Sequence, residues 1–148
     1  MTELLLFLHI LLFVFSFTFT AGVSILLGRV AATRDARIIH AAFSAARPLS
    51  RTGGICWLLT ALAGMGLAHA YGLELTAPWL LYSYAAFAVL MLVGFLIHLP
   101  WQAKVIAASA SGGAELDGLL QAPVHRIASG VSAASVLILV YLMTARPG

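Results

Sequence analysis

Residues 4–27 read LLLFLHILLFVFSFTFTAGVSILL, without one Asp, Glu, Lys or Arg. A helix rises ~1.5 Å per residue, so the run reaches across a hydrocarbon core of ~30 Å and reads as a membrane span. The solvent for this fold is lipid. Projected at roughly 100° per residue, His9, Ser16, Thr20 and Ser24 fall within about 80° of one another. That stripe is expected to face other helices. An ionisable side chain at membrane depth is costly and tends to be kept for a polar partner or for function, so His9 is the first residue to explain.

Composition supports the same class. The chain has 148 residues, 62% hydrophobic and 9% charged, with a mean hydropathy of +1.04, values outside the range of soluble domains. A cleaved signal peptide is disfavoured: Glu3 precedes the run, no Lys or Arg does, and the run is too long for a signal core. The single cysteine, Cys56, has no second thiol for a disulfide or a CxxC site. The sequence pI of about 9.5 comes from basic residues beside hydrophobic runs, which points to anionic lipid headgroups and not to nucleic acid.

Beyond Leu27 a basic segment carries Arg29, Arg34, Arg37, Arg47 and Arg51 against Asp35 alone. On a helical projection Ile38, Ile39, Ala42 and Phe43 share one side, and Arg34, Arg37, His40 and Ser44 the other. This is the pattern of an amphipathic helix in the headgroup layer, with His40 facing water and Pro48 ending the segment. A second span, Ile55 to Tyr71, is rich in small residues, with Ala61, Gly64 and Ala68 as its tightest face. His69 stands above a bulky wall of Met65, Leu62 and Leu58. A short connection, Gly72 to Ala77, makes the next span an antiparallel neighbour, with Thr76 as N-cap and Pro78 in the first turn. That third span, Trp79 to Leu99, has Trp79, Tyr82 and Tyr84 at its start and Trp101 past its end as interface markers, and Pro100 is expected to kink or stop it. After a break at Ser111-Gly112-Gly113, a loop carries Glu115 and Asp117. Pro123 opens the fourth span, residues 124–144, where His125, Ser129 and Ser132 share a face.

The fold class expected is therefore all-α: an integral membrane four-helix bundle, one transmembrane domain, with an amphipathic interfacial segment in the first cytoplasmic loop. Arg29, Arg34, Arg37, Arg47, Arg51, Lys104 and Arg126 flank the first and third loops, against Arg146 on the other side. The positive-inside rule then puts both termini outside the cytoplasm. Small-residue pairs such as Gly130 with Ala134 and Ala128 with Ser132 point to a homo-oligomer or a subunit of a larger membrane complex.

No Walker loop, HExxH, nucleophile elbow or intramembrane carboxylate pair is present. Proton- or ion-coupled transport is disfavoured, because no Asp, Glu, Lys or Arg lies deeper than the first turn of a span. Histidine remains. Antiparallel threading puts His9 and His69 at similar depth in an outer layer, and His98 and His125 in an inner one. Neutral imidazoles on facing helices are ligands for haem iron, so His9 and His69 form the first candidate pair for b-type haem, and His98 and His125 the second.

The opening LHILLFVFSFTFTAG, the Ala77-Pro78-Trp79 entry to the third span, and Tyr141-Leu142-Met143 followed by Arg146-Pro147 resemble an uncharacterised family of bacterial four-span membrane proteins, the domain of unknown function 2269. The resemblance implies an inner-membrane location. It also implies a distant similarity to copper-resistance-D-like proteins and to a haem-pathway protoporphyrinogen oxidase, whose first-span histidine His9 matches. That oxidase has a functional lysine in its third span, whereas Lys104 here follows Pro100. Two functions follow from the sequence: a small b-type haem protein with a redox or haem-handling role, or a haem-free structural or accessory subunit of a membrane complex.

Overall fold

The computed structural model describes residues 2–146, which form five helices and no strand. Helix α1 spans Thr2–Ala32, α2 spans Ala36–Ala70 and α3 spans Pro78–Ser111. A short α4, Ala114–Gln121, precedes α5, Pro123–Ala145. Four helical stretches are long and apolar enough to cross a membrane, the last of them α4 and α5 together. Antiparallel α1 and α2 pack along their length, α3 packs on α5, and α2 also meets the last turns of α3. Two helical hairpins are thus joined at one end of the bundle and meet again where Trp57 packs with Leu90 and Leu139 and where Ala68 packs with Trp79, Leu80 and Leu142, with cavities between these contacts.

The helices overrun the expected spans. At ~1.5 Å per residue, the 35 residues of α2 measure about 52 Å, well beyond a hydrocarbon core of ~30 Å. Pro48 does not end the basic amphipathic segment, which continues without a break into the second span. The segment is helical, and most of its apolar face is covered by protein while Ile38 stays exposed. Ile39, Phe43 and Ala46 are buried against Leu27, Val105, Ala108 and Leu116. Its start is set by Asp35, whose Oδ1 accepts from the backbone N–H of Arg37 at 2.9 Å and of Ile38 at 3.3 Å. His40 does not simply face water either, because its Nδ1 lies 3.1 Å from the Ile106 carbonyl and 3.2 Å from Ser109 Oγ.

Pro100 likewise does not stop α3. A proline lacks the N–H that would bond the carbonyl four residues back, and its ring crowds that carbonyl. Here the preceding residues Gly94–His98 form a π-turn, in which the Leu99 N–H reaches back to the Gly94 carbonyl, and the helix runs on to Ser111. A second π-turn, Thr18–Gly22, interrupts α1. The expected break after Ser111 is present: Gly112 and Gly113 have φ of 69° and 96°, a region that glycine enters without a Cβ penalty. The segment beyond it is helical, with Leu116 buried. Pro78 occupies the first turn of α3 as expected, with Ala77 in place of Thr76 as the N-cap. Trp79 is buried with Ala68, Leu80 and Leu142.

Candidate functional site

The contact between α1 and α2 is built from the stripe that the sequence singles out. Ser16 is fully buried and its hydroxyl donates to the Leu12 carbonyl at 2.6 Å. Thr60 donates to the Cys56 carbonyl at 2.8 Å. Each hydroxyl has one proton and spends it within its own helix, so their mutual approach at 3.3 Å is a secondary contact. A turn further along, Thr20 Oγ1 donates to the Ser16 carbonyl at 2.7 Å and accepts from Trp57 Nε1 at 3.3 Å. Ser24 departs from the stripe. It follows the π-turn and is exposed beside a cavity.

His9 occupies the terminal end of the same stripe. Its Nδ1 lies 2.8 Å from the Thr60 carbonyl oxygen. A carbonyl only accepts, so Nδ1 carries the proton, and in the neutral ring Nε2 holds the unshared pair. Gly64 makes this approach possible, since a Cβ there would stand 2.8 Å from His9 Cε1 and 3.1 Å from Nδ1. The glycine lies four residues after Thr60 and opens the side of the helix from which the imidazole reaches that carbonyl.

His9 also lines a cavity of about 830 Å³ between the two hairpins, within the ~300–1,000 Å³ common for small-molecule and cofactor sites. Phe13, Trp57, Leu80 and Phe87 contribute to its apolar walls, and Arg146 closes one edge with its guanidinium carbon 5.7 Å from the centre of the Trp79 ring. The Leu58, Leu62 and Met65 wall lies on this cavity. His69 does not. It is exposed on α2 and was expected to project inward. It comes five residues after Gly64, which at roughly 100° per residue turns it about 140° away from the face that meets His9.

The second pair, His98 and His125, does come together. Their rings meet edge to face with centroids 5.2 Å apart, and Trp101 stacks on His125 at 3.6 Å and 6°. His98 Nε2 lies 3.2 Å from Ser132 Oγ, and Trp101 Nε1 donates to the Leu119 carbonyl at 3.1 Å. A porphyrin held between two imidazoles needs both rings end-on to a plane between them. Here one ring rests against the other and an indole covers a face of His125, so this pair is a packing cluster. Among the described residues no group of three or more His, Cys, Asp or Glu is placed to hold a metal ion.

Sequence reasoning missed Thr60, Trp57, Gln102 and Arg146 as members of polar or cavity-lining sets. Only Thr60 had a usable signal, its position four residues before a glycine on the small-residue face.

Fold and site together define a polytopic helical membrane protein with a histidine-lined apolar cavity between two hairpins. The chain belongs to the family described as predicted integral membrane protein (DUF2269), which matches residues 3–147. No curated protein and no solved structure matches it.

Proposed function

We propose that this protein binds b-type haem in the cavity beside His9, where His9 Nε2 would hold the iron, and serves a redox or haem-handling role. The observation that carries the proposal is the 2.8 Å hydrogen bond from His9 Nδ1 to the Thr60 carbonyl beside an 830 Å³ apolar cavity. A backbone carbonyl on one imidazole nitrogen fixes the tautomer, orients the ring and leaves the other nitrogen to a metal. The apolar walls would exclude water from a flat macrocycle, and Arg146 offers a cation to its carboxylates at the edge. Bound there, haem would supply one-electron chemistry or be passed on as cargo. Because His69 faces away, the ligation proposed rests on one histidine and not on the pair.

The protein sits, in this proposal, in a bacterial inner membrane with both termini outside, as the seven basic residues flanking the first and third loops support. The exposed Arg34 and Arg37 would then meet anionic headgroups. A haem-free subunit of a larger assembly is the second reading. It is favoured by Gly130, which has nothing within 4 Å of an added Cβ, and by exposed Ala134 one turn away. Titrating the purified protein with hemin separates the two. Haem binding predicts a saturating Soret change at one haem per chain, and the absence of saturation above a detergent blank would leave the subunit reading.

A further inference from the structure

A second cavity, of about 430 Å³, takes lining residues from α1, α2, α3 and α5. Its two ends differ in chemistry. Toward the end with the basic loops it is lined by Ser50, His98, Gln102 and Ser132; toward the other end by Phe17 and Leu137, with Trp57 shared with the cavity of His9. Gln102 is 5% exposed. Its Nε2 donates to Ser50 Oγ at 3.1 Å, while its Oε1 is buried without a donor. Buried polar atoms are rarely left without a partner, and Gln102, which lines this cavity, holds an amide oxygen that a ligand O–H or N–H would satisfy.

We infer that this cavity binds a neutral dihydroxy-aromatic headgroup with an apolar tail, the chemistry of an isoprenoid quinol. None of the lining residues is Asp, Glu, Lys or Arg, which disfavours a phospholipid or any charged head. One ring hydroxyl donates to Gln102 Oε1 once the amide rotates toward the cavity. The second faces the His98 and Ser132 pair, whose 3.2 Å contact joins α3 to α5 and can give or accept a proton. The tail runs toward Phe17 and Leu137, along the depth of the membrane. The site does not include His9, and the inference does not depend on haem binding.

Isothermal titration of the full chain in lipid nanodiscs, with empty nanodiscs as background, tests it. The probes are decylhydroquinone kept reduced under anaerobic conditions and its dimethyl ether, which keeps the ring and tail, adds a methyl to each oxygen and donates no hydrogen bond. The expected result is saturable binding of the hydroquinone to wild type, weakened about tenfold by Gln102→Leu, which removes one hydrogen bond, and by at least about tenfold in the ether, which removes both donors. His9→Ala should bind it as wild type does. No saturation above background, or equal affinity for hydroquinone and ether on wild type, would overturn the inference. The ether comparison needs no variant, so it stands even if Gln102→Leu fails to fold.

Discussion

Replacing Gly64 by alanine puts a methyl carbon 2.8 Å from His9 Cε1 and 3.1 Å from Nδ1, so the imidazole must leave its seat on the Thr60 carbonyl. Losing that hydrogen bond costs about 0.5–1.5 kcal/mol, and forcing a carbon into a filled contact costs about 1–3 kcal/mol. Alanine returns about 1 kcal/mol of helix propensity relative to glycine. The net expectation is a destabilisation of about 0.5–3.5 kcal/mol. Gly66 supplies the control: nothing lies within 4 Å of a Cβ there, so Gly66→Ala should be neutral or stabilise by up to about 1 kcal/mol. Both variants would be unfolded from mixed micelles in increasing sodium dodecyl sulfate and followed by Trp fluorescence. A Gly64→Ala protein as stable as Gly66→Ala would refute the close packing of His9 on α2.

Phe43→Ala should cost about 3–5 kcal/mol, because Phe43 is fully buried where α2 meets the last turns of α3; the same detergent titration reads it, and a loss under about 1 kcal/mol would mean this end is loosely packed. Trp101→Ala removes the stack on His125 and the bond to the Leu119 carbonyl, with an expected loss of about 3–5 kcal/mol, checked by thermal unfolding. For orientation, an alkaline-phosphatase fusion after the C-terminus should be active, and a fluorescent cytoplasmic-reporter fusion there would reverse the assignment.

How far the sequence could be read depended on which physical rule decided each element. Lipid imposes long apolar helices, so the spans were legible from hydropathy, and the Gly112-Gly113 pair made the break after Ser111 legible too, since glycine enters the positive φ found there at little cost. Prolines misled. Pro48 and Pro100 read as stops because the lost hydrogen bond is a local cost, whereas both helices continue, α3 with a π-turn just before Pro100. The polar stripe of α1 was correctly aimed, since Ser16, Thr20 and His9 all meet α2. His69 was not. Periodicity gives angles within one helix, and the face of α2 that turns inward was set by where His9 found a glycine. The basic amphipathic segment shows the same limit from the other side: its apolar face was legible, but the cover for that face came from residues about 65 positions later, such as Val105.

The most direct measurement is the visible absorption spectrum of protein purified from haem-sufficient cells, compared among wild type, His9→Ala and His69→Ala. The predicted result is a Soret band in wild type that His69→Ala retains and His9→Ala loses while still inserting in the membrane. A band that survives His9→Ala, or a wild-type protein with no Soret band, would contradict haem ligation by His9.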